Sequence, residues 1–456
     1  MLFSSFAFLI GFLPVALGLY ALAARFAPSL RLAALLVLSL VFYGWWDWRF
    51  LPFLIVSVLV NWGAAQAFLA TGRRGFVIAA ILVDLAALGL FKYALFFADA
   101  MGDLFGLAVP RLTLALPLGI SFFTFHHVMY LVDLSRGQAP RIDVLRYGLY
   151  IAFFPQVLSG PLVRWREILA QFDVDPFRPG WRRAMAAGLA LLILGLAKKV
   201  FLADPLAADV APVYAEAAKG GAIALESAWQ ALIGFTFQIY FDFSGYTDMA
   251  LGLALMFGIT LPQNFRAPYR AASLRDFWRD WHMTLSRFLR DYLYVALGGN
   301  RHGLARQLMA LFLTMLLGGL WHGAGYNFLI WGAAHGAALG AGVLWRRAGL
   351  AMPAILGWAL TFAFVAATWV FFHAATFDQA IAIFKGLAAA PSPEVAFRWR
   401  TLALAAALAL IGPTSWDLVT NMQPRRSYAL LFALLGVAAL LKLGDEASYE
   451  FIYFRF

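Results

Sequence analysis

The sequence has no cysteine, and only 13% of its 456 residues are charged. The lack of cysteine excludes disulfides, thiolate metal ligands, a cysteine acyl-enzyme and palmitoylation of the chain itself. Soluble proteins carry about 25% charged residues, whereas this chain is 63% hydrophobic. Such a composition cannot form one water-soluble core, so we predict an all-α polytopic membrane protein.

The net charge of +11 does not by itself indicate a nucleic-acid partner. In a membrane protein, an excess of arginine and lysine marks cytoplasmic loops and contact with anionic lipids. The sequence has neither a phosphate-binding P-loop nor a dinucleotide-binding fingerprint. A shared metal ion is not favoured, because the adjacent His126 and His127 point about 100° apart on a helix. We therefore expect membrane lipids as partners, and no nucleic acid, metal or bound cofactor.

Apolar segments long enough to cross a bilayer, about 17–25 residues each, recur along the whole chain. We predict about 11–12 transmembrane helices in a single integral-membrane domain that comprises residues 1–456. Residues 147–163 are interrupted by proline and glycine, and we expect a re-entrant or interfacial piece there. The predicted segments lie near residues 3–23, 30–46, 51–70, 76–97, 113–132, 184–203, 224–258, 304–320, 326–345, 353–373, 401–415 and 428–443.

A polar interruption at residues 320–327, LWHGAGYN, separates two uncharged stretches. It places His322 in apolar surroundings, where a fixed charge costs at least ~2.5 kcal/mol and an ionisable group is a functional candidate. A neutral imidazole avoids most of this cost and can act as a base. The alternative is a structural histidine that donates to a carbonyl. Because the uncharged run of residues 307–320 is shorter than a full crossing, we expect His322 to lie partway through the membrane.

An amphipathic helix is predicted over residues 273–292, with Ser273 as its N-cap and Asp276 at the N3 position. Its apolar and charged side chains fall on opposite faces, which is typical of a helix in the membrane interface. His282 lies at the border between the faces, and it either reaches out to the interface or points into a cleft under the bundle. The charged face carries Arg275, Arg279, Arg287 and Arg290.

Two carboxylates, Asp242 and Asp248, lie within a hydrophobic stretch and are therefore candidates for a site. In a transporter they would relay ions or protons. In an enzyme they would orient a catalytic group or hold a buried arginine. A structural pairing with Arg266 or Lys198 is the role that we favour.

Four stretches form a recognisable set in chain order. They are LPLGISFFTFHHVMYLVDLSRG from residue 116, YFDFSGYTD from residue 240, SLRDFWRDWHMTLSRFLRDYLYVALGGNRHG from residue 273 and GLWHGAGYNFLIWGAAHG from residue 319. Together they resemble the membrane-bound O-acyltransferase family, in its bacterial branch of alginate O-acetylation proteins. The resemblance extends over nearly the whole chain. It departs at His126, where the branch usually has glutamine, and at His302, where lysine is common.

The resemblance implies a ring of transmembrane helices around shorter, tilted or re-entrant helices, with a funnel or tunnel through the centre. It implies catalytic roles for His322 in the Trp-His-Gly motif and for His282 in the Trp-His-x-Thr-Leu-Ser motif. The arginines of the amphipathic helix would receive the phosphates of a donor such as acetyl-CoA or another acyl thioester, free or on an acyl carrier. Further candidates for the donor site or tunnel are Trp321, Asn327, Asp242 and Asp248.

The resemblance also implies an inner-membrane enzyme that passes acetyl groups from a cytoplasmic donor to a periplasmic acetyltransferase, which modifies an exported polysaccharide. Alginate or a similar exopolysaccharide fits the branch best. Peptidoglycan, cellulose, and teichoic acid with a D-alanyl donor stay open as alternatives. A lipid or solute transporter is the alternative from another functional class, because broken spans and buried carboxylates suit transport as well.

Overall fold

The computed structural model describes residues 1–106, 115–392, 399–423, 425–445, 449 and 451–452. Regular structure in these residues is helical throughout, with no β-strand. Nine helices among them are long and apolar enough to span a membrane, and a bent pair at residues 399–421 makes a tenth if it counts as one span. The prediction of an all-α polytopic membrane protein is confirmed.

Contacts divide the chain into two compact units, and the first comprises Met1–Leu192 and Tyr246–Pro262. Its helices are α1 (Leu13–Phe26), α2 (Arg31–Trp46), α3 (Leu51–Thr71), α4 (Gly75–Leu88), α5 (Ala94–Phe105), α6 (Ile120–Ser135), α7 (Val144–Ala152), α8 (Phe154–Val157), α9 (Trp165–Phe172) and most of α10 (Trp181–Lys198). Helices α7 and α8 have nine and four residues. They are too short to cross a bilayer, as expected for the interrupted segment at residues 147–163.

The second unit comprises Ile193–Gly245 and Gln263–Phe456. Its helices are α11 (Asp204–Ala218), the first part of α12 (Leu225–Met256), α13 (Leu274–Asp280), α14 (Met283–Phe288), α15 (Gly303–His322), α16 (Tyr326–Arg347), α17 (Ala354–His373), α18 (Phe377–Gly386), α19 (Trp399–Leu410), α20 (Ser415–Asn421) and α21 (Arg426–Asp445). The chain also has π-helical segments at Ala7–Phe12, Gly89–Tyr93, Lys199–Ala203 and Leu289–Tyr294. The single domain over residues 1–456 stays a prediction.

The described residues contain nine or ten candidate spans, fewer than the 11–12 predicted, and two of the predicted segments explain the difference. The segment near 113–132 is shorter than expected, because α6 starts at Ile120 and has only 16 residues; residues 113 and 114 lie outside the described residues. The segment near 224–258 is α12, which at 32 residues is long enough to cross a bilayer. It carries polar and acidic side chains, including Asp242 and Asp248. Because of this polar content, α12 is not among the nine apolar helices counted as candidate spans.

Helices α15 and α16 form a tightly packed antiparallel hairpin of 20 and 22 residues. Glycines permit this approach. A Cβ at Gly319 would collide with the backbone of Phe328 and Gly332, and a Cβ at Gly332 would collide with the carbonyl of Met315. Gly332 and Gly336 are four residues apart, the spacing with which transmembrane helices commonly approach each other closely. The turn of this hairpin is the polar interruption noted in the sequence.

The amphipathic helix predicted over residues 273–292 starts where we expected, but it is not continuous, and that part of the prediction is wrong. Ser273 caps α13, and its side chain accepts a hydrogen bond from the backbone N–H of Asp276. This helix ends at Asp280, however, and α14 starts anew at Met283. Between them, His282 has a left-handed backbone with φ of 41°. The apolar side chains of both helices are nevertheless buried, among them Phe277, Trp278, Leu285 and Phe288.

Candidate active site

His322 is the last residue of α15 and lies at the turn of the hairpin. Its ring is packed among aromatic side chains, with ring centroids at 4.8 Å from Trp321, 5.2 Å from Trp331 and 5.1 Å from Phe372. Only 4% of the residue is exposed. Aromatic side chains therefore cover the ring of His322 and leave little of it in contact with solvent.

The expected depth of His322 rested on an apolar run too short to cross the bilayer. Helix α15 instead begins at Gly303, so that its full length of 20 residues leads up to the turn. At 1.5 Å per residue, this helix is about 30 Å long and can cross the hydrocarbon core. The length of the run therefore gives no reason to place His322 halfway, and its depth stays a prediction.

His282 is completely buried, with 0% exposure, so the interpretation as a side chain that reaches out to the interface is wrong. Its ring contacts Phe243 and Trp321, with centroids at 4.7 and 6.3 Å. Because Trp321 also contacts His322, the two histidines flank one indole ring. Burial lowers the pKa of His282 to about 3, and its imidazole is therefore neutral at physiological pH.

A cavity of about 690 Å³ lies beside the broken amphipathic helix, in the second unit. The four predicted donor arginines all line it, and a fifth arginine comes from the end of α16. A smaller neighbouring cavity of about 320 Å³ shares Gln307 with it and adds Asn300. Guanidinium groups match phosphate oxygens in geometry, and two of these groups also form salt bridges, Arg279 with Asp276 and Asp280, and Arg290 with Asp291. The five arginines are Arg275, Arg279, Arg287, Arg290 and Arg346.

The cavity follows the hairpin toward His322. Gln307, near the start of α15, lines both cavities, and Met315 lines the larger cavity further along the same helix. A rise of 1.5 Å per residue places Met315 about 12 Å from Gln307 along the helix axis, and His322 about 22 Å from it. Arg346 lines both cavities, as Gln307 does, so a ligand held at Arg346 must extend by roughly 20 Å to reach His322.

Aromatic rings connect the cavity wall to His322. Trp278 lines the cavity and contacts Trp331 at 5.7 Å between centroids, and Trp331 in turn contacts His322. Trp278 also donates its Nε1–H to Nδ1 of His335 over 3.2 Å. The other ring nitrogen of His335 lies 3.0 Å from the Thr368 hydroxyl. Both nitrogens of His335 are thus engaged in structural hydrogen bonds.

Asn327 and Asp248 are not among the residues that line the cavity. Asn327 donates from Nδ2 to the backbone carbonyl of Ala374 over 2.7 Å, which ties the hairpin turn to the end of α17. This bond holds the turn that follows His322, and a role of Asn327 in the donor site or tunnel stays a prediction. Asp248 is buried in the first unit and does not line the cavity. Of the further candidates, Trp321 contacts both predicted catalytic histidines.

Asp242 forms a buried ion pair. Its Oδ1 lies 2.7 Å from Nζ of Lys199, and both side chains are 2% exposed. The other carboxylate oxygen accepts the backbone N–H of Ile452 over 2.8 Å. Asp242 is therefore in a buried pairing, as we favoured, and its place in the donor site or tunnel stays a prediction. The predicted partners, Arg266 and Lys198, are wrong, because the helix turns Lys199 toward the carboxylate instead.

The paired histidines of the first unit serve its packing. Nε2 of His126 accepts the backbone N–H of Val163 over 3.2 Å, so its Nδ1 carries the hydrogen and donates to the carbonyl of Phe122 over 2.8 Å. Nδ1 of His127 lies 2.7 Å from the Tyr147 hydroxyl. In the part of the chain that the structure describes, no group of three or more histidine or acidic side chains could hold a metal ion.

The sequence interpretation missed Arg346, Trp331 and Asn264. Arg346 belongs to a double arginine after an apolar span, a pattern that also marks any cytoplasmic loop. Trp331 is one of many aromatic residues on apolar helices. Asn264 lies in a loop, and its Oδ1 is 3.3 Å from Nδ1 of His282. Of these three residues, only Arg346 could have been noticed from the local sequence, as part of a pair of arginines. The pair does not indicate which helix Arg346 would face.

Residues 80–348 match the sequence model of the membrane-bound O-acyltransferase family, over more than half of the 456 residues. The chain belongs to this family. The matched region contains both histidines that flank Trp321 and all five arginines of the cavity.

Relatives extend the likeness of this membrane-bound O-acyltransferase beyond the matched region. The probable alginate O-acetylase AlgI of Pseudomonas aeruginosa is 41% identical over 408 residues, which cover 85% of this chain and 75% of the relative. The protein of the same name in Pseudomonas putida is 37% identical over 514 aligned positions, which cover 100% of both chains. The peptidoglycan O-acetyltransferase of Helicobacter pylori is 38% identical, with 85% of this chain and 80% of the relative covered. The predicted resemblance is confirmed, and the chain is a multi-pass membrane O-acyltransferase.

Proposed function

We propose that this O-acyltransferase takes an acetyl group from cytoplasmic acetyl-CoA and moves it across the inner membrane for O-acetylation of an exported polysaccharide. The observation that carries the proposal is the cavity with five arginines, which follows the hairpin toward His322. Guanidinium groups match the phosphate oxygens of CoA in geometry and charge. Apolar side chains, among them Leu289, Leu311 and Leu339, line the same cavity and suit the rest of the donor.

A donor with a long arm fits the geometry best. Roughly 20 Å separate the outer end of the cavity from His322 along α15. A compact donor held at Arg346, such as acetyl phosphate, would not bring its acyl group to the imidazole. In CoA, the pantetheine arm separates the thioester from the phosphates of the nucleotide. Phosphopantetheine on a carrier protein has a single phosphate, so five arginines favour the free CoA thioester.

His322 is the proposed general base. As the acceptor oxygen attacks the carbonyl carbon of the thioester, the neutral imidazole takes the hydroxyl proton and the new C–O bond forms. The C–S bond then breaks, and the CoA thiolate leaves and receives the proton from the imidazolium. The aromatic packing around His322 limits the access of water and thus hydrolysis of the thioester. His282 orients a substrate on the other side of Trp321.

The names of the relatives guide the choice of acceptor, because they include alginate O-acetylases and a peptidoglycan O-acetyltransferase. We favour an exported polysaccharide such as alginate. A separate periplasmic acetyltransferase would receive the acetyl group and complete its transfer to the sugar. Anionic lipids of the inner membrane would surround the basic cytoplasmic loops of this chain.

The proposal is tested with His322→Gln in membranes that receive labelled acetyl-CoA. Loss of a general base costs about 10²–10⁴ in rate, and we expect transfer of label to polysaccharide to fall by that factor. His302→Gln is the matched control, because His302 is exposed and does not line the cavity. Both variants are compared at equal amounts of inserted protein.

Unchanged O-acetylation by a normally inserted His322→Gln protein would overturn the proposal. A transporter would behave differently in the same assay. It would move its substrate without consuming acetyl-CoA, and Asp242→Asn would impair it more than His322→Gln.

A further inference from the structure

Asn264 is hydrogen-bonded to the chain on the far side of the break at His282. Its backbone carbonyl accepts the N–H of Met283 over 2.9 Å. Its side-chain Oδ1 accepts the backbone N–H of Thr284 over 3.2 Å and the Thr284 hydroxyl over 2.7 Å. The same Oδ1 lies 3.3 Å from Nδ1 of His282. These bonds hold His282 in a left-handed conformation that is uncommon outside glycine.

The orientation of the Asn264 amide is fixed by a group that can only donate. A backbone N–H has no lone pair, so the amide oxygen, and not the amide nitrogen, must face Thr284. An amide oxygen in turn can only accept. Nδ1 of His282 must therefore carry the hydrogen of the neutral imidazole, and the lone pair is left on Nε2.

We infer that Asn264 is a positioning residue that fixes His282 as the Nδ1–H tautomer, with Nε2 as the acceptor for an O–H or N–H group of the acyl acceptor. This inference rests on the proposed function and deepens it. A histidine in this tautomer has no hydrogen on Nε2, so it cannot donate to the carbonyl oxygen of the thioester. His282 therefore serves the acceptor and not the donor, while His322 takes the proton of the reacting hydroxyl.

Burial, and not a neighbouring charge, keeps the imidazole of His282 neutral. Helix α12 brings Asp242 next to the contacting Phe243, but Asp242 is paired with Lys199. Helix α15 brings His322, which is itself a titratable ring. On its own segment, the side chain of Asp280 is in a salt bridge. A carboxylate introduced beside Nδ1 would consequently be the charge with the largest effect on the pKa of His282.

Asn264→Asp is the sharpest variant, because it keeps an acceptor oxygen for Thr284 and adds a charge beside Nδ1. An opposite charge within hydrogen-bond reach raises a histidine pKa by about 1–3 units. We expect the variant to insert normally and the acid limb of its kcat/KM–pH profile to move up by that amount. Thr284→Val is the matched control. It removes only the hydroxyl bond to Oδ1, and its profile should coincide with that of the parent.

A second readout is independent of acyl transfer. ¹⁵N spectra of histidine-labelled protein report which ring nitrogen is protonated, and the signals of His282 are assigned by their loss in His282→Asn. We expect a protonated Nδ1 in the parent. A protonated Nε2, an Asn264→Asp profile that superimposes on the parent's, or an equal shift in Thr284→Val would each overturn the inference. Failure of the proposed function shows instead as full activity of His322→Gln, with the tautomer unchanged.

Discussion

The indole N–H of Trp278 donates to Nδ1 of His335 over 3.2 Å and fastens the wall of the arginine-lined cavity to helix α16. Trp278 comes from α13, and His335 comes from the hairpin that has His322 at its turn. The cavity and the candidate base are therefore parts of one packed structure. Changes that shift the hairpin are expected to affect both.

Alanine at Gly332 tests the packing of the hairpin. A Cβ at this position would collide with the backbone of Met315 and Leu316, which cannot move without shifting α15. We expect Gly332→Ala to lower the thermal midpoint in detergent and the transfer activity together. Gly342→Ala is the control, because its Cβ would meet only the end of the Arg346 side chain, at 3.6 Å. Alanine there should be neutral or slightly stabilising, since glycine disfavours a helix by about 1 kcal/mol.

Lys199 pairs with two buried carboxylates, Asp204 and Asp242, at 2.9 and 2.7 Å. Removal of one partner from a buried ion pair costs ~3–5 kcal/mol. Lys199→Met should therefore lower the thermal midpoint strongly. Lys219→Met is the control, because Lys219 is 74% exposed in its pair with Glu216 and such surface pairs contribute about 0–1 kcal/mol. Equal midpoints for the two variants would contradict a stabilising role of the buried cluster.

Arg346→Ala tests the phosphate contact of the proposed donor. A hydrogen bond to a charged group contributes ~1.5–3 kcal/mol, so the KM for acetyl-CoA should rise about 10–100-fold. The kcat should change little, because the contact stabilises the bound ground state and the transition state equally. Arg425→Ala is the control, as Arg425 is exposed and lines neither cavity. A KM unchanged in Arg346→Ala would place the phosphates elsewhere.

The buried, neutral His282 predicts a loss of stability in acid. Its folded-state pKa is about 3, whereas an unfolded histidine titrates near ~6.5. Between these values the unfolded chain binds the extra proton, so this contribution to stability is complete above about pH 6.5 and declines as the pH falls toward 3. Thermal midpoints between pH 7 and pH 5 should fall less steeply in His282→Asn than in the parent. His302→Asn, at an exposed position, should follow the parent.

Local composition and periodicity were sufficient to predict the membrane helices, the start of α13 and the buried apolar face that follows it. The apolar runs predicted helices in the membrane, since bilayer thickness and helical rise depend on nothing else in the fold. The capping of α13 by Ser273 and the burial of the apolar face after it were also predictable, because both depend on neighbours within a few residues. The two family histidines were found from their motifs, in one unit of the structure.

Contacts between distant residues decided the rest. The break at His282 depends on Asn264, which is 18 positions away, and the charge of Asp242 is balanced by Lys199, which is 43 positions away. Arg346 joins the arginines of α13, α14 and the π-helical segment Leu289–Tyr294 because α16 folds back along α15. The sequence by itself determined a helical membrane protein with two notable histidines. Only the tertiary structure decided their surroundings, because hydrogen bonds and ion pairs form between side chains that a local pattern cannot bring together.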